Sequence, residues 1–168
     1  MPGIVAAVSK VLLEHDGNVE DSQMTILRGH FTMMLIVSTP PGTDPVALQE
    51  ALEDVRDRLG LEAISVNEVT EISPDAEPVP SHMVSVYGAD HPGIVHAVSQ
   101  ALGQRGISIT DLTTRLAGDQ TGEPLYAMML EIALPADADV EALERSLREV
   151  GSGQSVDLTI RPLEQDTL

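Results

Sequence analysis

Apolar residues recur at helical spacing at Ile4, Val5, Val8, Val11 and Leu12, and again at Ile94, Val95, Val98, Ala101 and Leu102. Each set follows a Pro-Gly pair, which suits a helix start, and predicts an amphipathic helix. The period then falls to two. Val19 to Ile26 and Phe31 to Ser38 read as strands of a hairpin turning at Arg28-Gly29, and Ile107 to Leu116 and Leu125 to Leu134 read as a second hairpin around Ala117 to Pro124. A second helix follows in each half. Asp44-Pro45 opens the first, with Val46, Leu48, Leu52, Val55 and Leu59; the other starts near Asp139, with Val140, Leu143, Leu147 and Val150. Closing strands are expected at Ala63–Ile72 and Ser155–Leu163.

The two halves are copies. Pro2-Gly3-Ile4-Val5 matches Pro92-Gly93-Ile94-Val95 at an offset of 90 (92 minus 2), and Ala7, Val8, Ser9, Leu12 and Asp21 match residues of the same type 90 positions on. After a hairpin five residues longer in the second copy, Phe31-Thr32-Met33-Met34-Leu35 faces Tyr126-Ala127-Met128-Met129-Leu130 at an offset of 95. Such a duplication predicts two modules, residues 1–72 and 82–163, joined by a Pro-rich linker at 73–81 and followed by a tail at 164–168.

His82 to Tyr87 adds a strand ahead of the second copy's first helix and completes a βαββαβ order. The expected fold class is therefore α+β, with two ferredoxin-like modules in which two helices cover one face of an antiparallel sheet. The first copy lacks its first strand, since Met1 stands where the second has His91. Either the chain starts upstream of Met1, or another chain fills that sheet position; the first alternative is preferred, because a central strand is costly to omit.

Composition narrows the function classes. A formal charge of −18, from 27 acidic and 9 basic side chains, repels phosphate backbones, and three aromatic residues (Phe31, Tyr87, Tyr126) make no base-stacking platform. Direct nucleic-acid binding is not expected. No apolar run approaches the roughly 20 residues of a membrane span, and no secretory signal opens the chain, so a cytoplasmic protein is expected. Cysteine is absent, which removes disulfides and thiolate sites. Neither G-x-S-x-G, a phosphate loop nor H-E-x-x-H occurs, so no enzyme and no cofactor are expected. His91 and His96 have no third ligand at metal-site spacing, and no metal is expected.

The Pro-Gly turns are the candidate chemistry. A glycine-containing turn that opens a helix leaves backbone N–H groups without intrahelical partners, and a small anion can sit there. The plainer alternative is that Asp90 or His91 caps the helix while Pro92-Gly93 only shapes the turn. Asp21 and Asp111 occupy matched strand positions, where a structural role is the simpler reading. Of each methionine pair, one residue is expected in the core and the other on the open sheet face.

Two βαββαβ modules that each enter their first helix through Pro-Gly-Ile-Val resemble ACT domains. The run Asn18-Val19-Glu20-Asp21-Ser22-Gln23-Met24, with Gly29-His30-Phe31-Thr32-Met33-Met34, is similar to the tandem-ACT family named after the glycine cleavage system transcriptional repressor. The resemblance implies a regulatory protein that senses a small amino acid, glycine or serine being the guess it guides, and acts through a protein partner as a homo-oligomer. It also implies where the ligand sits: at Asp90, His91, Pro92, Gly93, Ile94 and Val95 with Ser108 in the second copy, and at Pro2, Gly3, Ile4 and Val5 with Asn18 in the first. The helix-start N–H groups would take the ligand carboxylate, and Asp90 or a backbone carbonyl the ammonium. The first copy has no counterpart of Asp90 in this sequence. The alternative function is an ACT interaction module without a ligand.

Overall fold

The computed structural model describes residues 2–69, 78–118 and 124–163. Met1, most of the 73–81 linker, the tip of the longer hairpin and the tail 164–168 lie outside the described residues. The chain divides into two compact units, residues 1–72 and 73–168.

In the first unit, α1 (Ile4–Glu14) buries Ile4, Val8, Val11 and Leu12, and α2 (Pro45–Leu59) buries Leu48, Leu52 and Val55. Both helices bury one stripe, as their spacing dictates. Asp44 caps α2 by accepting the Val46 N–H at 2.9 Å, Pro45 supplies a preset first-turn φ, and Gly60 closes the helix in the left-handed region at φ 65°. Strands β1 (Asn18–Leu27) and β2 (His30–Ser38) pair antiparallel, with Arg28 and Gly29 at φ 49° and 89° in the two-residue turn. Positive φ at both positions matches the twist of the flanking strands.

The second unit contains β3 (His82–Ala89), α3 (Ile94–Gly103), β4 (Ser108–Gly118), β5 (Pro124–Ala133), α4 (Val140–Gly153) and β6 (Val156–Pro162). Its strands form one antiparallel sheet in the order β4-β5-β3-β6. Val84, Val86, Met128, Leu130 and Ile132 point from the sheet into a core closed by Ile94, Val98 and Leu102 of α3 and by Leu143 and Leu147 of α4. Met128 is fully buried and its neighbour Met129 is not, and Met34 is 68% exposed beside a half-buried Met33, so alternation splits each pair between the two faces.

One bulge is duplicated along with the sequence. The register slips between Val19 and Asp21 and again between Ile109 and Asp111. Both aspartates bond locally: Asp21 accepts the Ser22 N–H at 2.7 Å, and Asp111 accepts the Thr113 hydroxyl at 3.4 Å. They serve the bend of their own strands.

The closing strand expected at Ala63–Ile72 does not form over the described residues 63–69, and among the described residues the first unit's sheet consists of β1 and β2. The second unit supplies the physical reason. Its last strand, β6, pairs only with β3. Without a counterpart of β3, the segment at 63–69 has no ladder to join. It still turns Ile64 and Val66 toward the core, and the Gln49 side chain stands in for a neighbouring strand. Gln49 donates to the Ile64 carbonyl at 3.2 Å and accepts from the Val66 N–H at 2.7 Å.

Candidate functional site

The second-copy loop between β3 and α3 is built by close backbone approach. Gly88 pairs with Val156, and a Cβ at Gly88 would lie 2.7 Å from Val156 Cγ1, 3.0 Å from Val156 Cα and 3.1 Å from the Ser155 carbonyl oxygen. A side chain at this position would separate β3 from β6. The α4–β6 turn is equally tight. Gly151 leaves no room for a Cβ beside the Val156 carbonyl, 2.7 Å away, and Ser155 takes a left-handed φ of 53°. The two turns are thereby pressed together at one end of the sheet.

His91 ties them. Its Nε2 lies 2.5 Å from the Gln154 carbonyl oxygen and its Nδ1 lies 3.1 Å from the Pro92 carbonyl oxygen. Both acceptors are carbonyls, so both ring nitrogens donate only when the imidazole is protonated. The Gln154 bond, then the Pro92 bond, raise the His91 pKa above its usual 6.5; partial burial opposes them and the Asp90 charge adds to them. The same Asp90 charge reaches the Tyr126 hydroxyl, whose pKa is raised first by burial and then by Asp90.

Gly93 occupies the left-handed region at φ 107° and forms the N-cap of α3 without a side-chain cap. Neither Asp90 nor His91 caps the helix. The first intrahelical bond runs from the Ala97 N–H to the Gly93 carbonyl, so the N–H groups of Ile94, Val95 and His96 precede the helical ladder. The Ile94 side chain is 2% exposed and belongs to the core, so Ile94 offers a ligand its backbone only. Asp90, Pro92 and Val95 are exposed around this helix start. The side-chain amide oxygen of Gln154 comes within 3.5 Å of where a Gly93 Cβ would stand. An anion at the free N–H groups and a cation at Asp90 is the pairing this arrangement suits.

Gln154 and Ser155 escaped the motif reading, because no residue pattern marks them. The predicted topology held the signal: the strand after α4 runs antiparallel to β3, which places the α4–β6 turn beside the β3–α3 loop.

Ser108 is not part of this cluster. It pairs with Ala133 at the start of β4, next to the His82–Ile132 pair, whereas the loop follows Ala89. The length of β3, roughly 25 Å, separates the two ends. In the first copy, Asn18 follows Gly17, whose N–H bonds the Leu12 carbonyl at the C-terminal end of α1, so the helix length of roughly 15 Å separates Asn18 from Gly3. Both residues were expected beside the helix start, and both stand at the opposite end of their unit. A helix lies between the two positions, so its length sets their separation.

The first copy repeats the turn itself. Gly3 has φ 95° and ψ −5° against 107° and −16° for Gly93, and α1 is likewise uncapped by a side chain. Pro2, Gly3 and Val5 are exposed, while Ile4 is buried. No counterpart of the His91 tie is seen among the described residues there.

Comparison with known proteins agrees with this architecture. Family models described as ACT domain match residues 1–65 and 82–148. A UPF0237 protein of Methanopyrus kandleri is 40% identical over 68 residues, 40% of this chain and 76% of that protein. Another, from Methanocaldococcus jannaschii, is 36% identical over 67 residues, 39% of this chain and 74% of that protein. Among solved structures, a protein of unknown function from Galdieria sulphuraria superposes with a TM-score of 0.77 at 28% identity, covering 97% of this chain and 92% of that one. A structure named for a proposed glycine cleavage system transcriptional repressor superposes with a TM-score of 0.61 at 17% identity, covering 97% and 91%, and shares the fold. The chain belongs to the ACT-domain family, as a tandem of two such domains.

Proposed function

We propose that this chain is a regulatory sensor that binds a small amino acid at the β3–α3 loop of its second ACT domain and acts through a protein partner. The observation that carries the reading is the uncapped α3 N-terminus beside an exposed carboxylate: among the described residues the N–H groups of Ile94, Val95 and His96 have no partner and stand open to a carboxylate, and the exposed Asp90 stands open to an ammonium. Gly93 adds no side chain at the approach, and an anion site beside a cation site suits an α-amino acid, with glycine or serine the choice the family resemblance guides. The excess of negative charge supports contact with a basic protein partner over contact with DNA, and the likeness to a structure named for a proposed glycine cleavage system transcriptional repressor adds transcriptional control of glycine metabolism to the proposal. A cytoplasmic homo-oligomer is the form proposed.

Calorimetric titration of the full chain with a panel of amino acids tests this. Saturable binding of one small amino acid, weakened at least tenfold by Asp90→Ala, is the expected result; flat traces from folded protein refute it. One observation favours a second reading, an assembly module without a ligand. Met24 and Ile26 on one face of the first hairpin, and Leu27 and Met34 on the other, are each more than half exposed, apolar surface suited to contact with a protein. Flat titrations together with concentration-dependent association would select it.

A further inference from the structure

The duplication supplies a comparison inside one chain. Gly60 and Ser155 stand 95 positions apart (155 minus 60), each in the left-handed region at φ 65° and 53° just past the second helix of its unit. The residues before them are therefore counterparts, Leu59 in the first unit and Gln154 in the second. Phe31 and Tyr126 are counterparts at the same offset. At both positions the first unit has an apolar side chain where the second has a polar one of similar size.

Both polar groups flank the β3–α3 loop. Because β3 runs between β5 and β6, the loop leaves the sheet with Tyr126, the partner of Gly88, on one side and the Gln154 turn on the other. Tyr126 is 7% exposed and packs in the same core cluster as Ile94, the first residue of α3. Its hydroxyl donates to Met128 Sδ at 3.5 Å. A thioether is a weak acceptor, and among the described residues nothing donates to the hydroxyl oxygen, which lies within reach of the Asp90 charge. His91 holds the Gln154 main chain, whereas the Gln154 side-chain amide has no hydrogen-bond partner among the described residues and its oxygen stands 3.5 Å from where a Gly93 Cβ would lie. The fold needs neither group: the first unit builds the same two turns with Phe31 and Leu59. A hydroxyl buried against so poor a partner is unfavourable unless another group completes it.

We propose that Tyr126 and Gln154 set the specificity of the second unit's site: the Tyr126 hydroxyl oxygen joins Asp90 in accepting from a primary ammonium, and the Gln154 amide donates to the carboxylate held at the α3 N-terminus. This rests on the amino acid site proposed for the second domain and names the side chains that read its ligand. A primary ammonium carries three N–H donors, and Tyr126 adds a neutral acceptor, sheltered from water, to the exposed carboxylate of Asp90. The Gln154 amide bears a donor and an acceptor on one carbon, so a half-turn about its last torsion brings the NH2 to where the oxygen stands. With Phe31 and Leu59 in their places, the first unit lacks both groups and holds such a ligand far more weakly.

The first unit's own residues make the test. The full chain, Tyr126→Phe, Gln154→Leu and the double variant are titrated calorimetrically with glycine and with L-serine, and the second unit's thermal midpoint is followed alongside. Each single change is expected to weaken binding of the tighter of the two amino acids about tenfold, as loss of a hydrogen bond to a charged group does. The double change is expected to weaken it about a hundredfold, with the midpoint held within a few degrees. Gln154→Glu sets a negative oxygen where the NH2 donates and is expected to weaken binding further than Gln154→Leu; tighter binding by Gln154→Glu overturns the assignment of Gln154 to the carboxylate. Unchanged affinity in the double variant overturns the proposal and leaves the site standing, whereas flat traces from the folded parent chain overturn the site and the proposal together. A loss of affinity matched by a fallen midpoint in both single variants also overturns it, since the two residues then serve the fold and not the ligand.

Discussion

Replacing Gly88 with alanine probes the joint on which the candidate site rests. The added Cβ meets Val156 Cγ1 at 2.7 Å, Val156 Cα at 3.0 Å and the Ser155 carbonyl oxygen at 3.1 Å. Two of those three atoms are backbone, so a rotamer change at Val156 relieves only the first contact. Relief of the others requires β6 to withdraw from β3 by about 0.5–1 Å, given ordinary carbon contacts of about 3.5–4.0 Å. Strain of this kind costs about 1–3 kcal/mol. Exchanging glycine for alanine in a strand interior returns about 0.5–1 kcal/mol. Because two of the three close atoms are backbone, the strain falls in the upper half of that range, about 2–3 kcal/mol; the net loss is then about 1–2.5 kcal/mol, and at about 4–8 °C per kcal/mol for a unit of this size the second unit's midpoint falls by about 4–20 °C. Scanning calorimetry of the full chain reads it, with Gly103→Ala as control, since nothing lies within 4 Å of a Cβ there. The control is expected to hold or raise the midpoint. A Gly88→Ala protein whose second-unit transition is unchanged within error refutes the close approach and, with it, the seating of the loop against the α4–β6 turn.

The other expectations follow from single contacts. His91 titrates above 6.5, so the stability its bonds contribute is complete below its unfolded pKa and is lost as pH rises through the raised folded value. An NMR titration giving a folded pKa at or below that of the unfolded chain would sink the bridging role, and His91→Gln is expected to remove the pH dependence. Truncating Gln49 to alanine removes both bonds to residues 64 and 66, destabilises the first unit by about 1–3 kcal/mol, and accelerates exchange of the Val66 amide; an unaltered Val66 rate would show that the segment is held otherwise. Met128→Ala is expected to cost about 2–5 kcal/mol and Met34→Ala within about 0.5 kcal/mol, a contrast that denaturant titration checks. Equal losses would mean that the two methionines do not face opposite sides of their sheets.

Much of this architecture was legible in the sequence. The order of periods, 3.6 then 2 then 3.6, together with Pro-Gly, Asp-Pro and Arg-Gly at the element boundaries, named the helices and hairpins, since these are properties of neighbouring residues. The duplication did more than either copy alone: it marked Gly3 and Gly93 as one kind of turn and showed which strand the first copy lacks. Tertiary structure decided what depends on partners. Ile64 and Val66 alternate as a strand should, yet a strand exists only where another offers its ladder, and theirs is missing. Ser108 and Asn18 carry polar groups suited to a ligand, but a helix length places them at the far end of their units from the turns they were matched with. Gln154 and Ser155 carry no motif, and antiparallel pairing of β3 with β6 brings Gln154 against His91 and Ser155 against Gly88. Local pattern determined which segments could fold; long-range pairing, a competition for edges and space, decided which ones met.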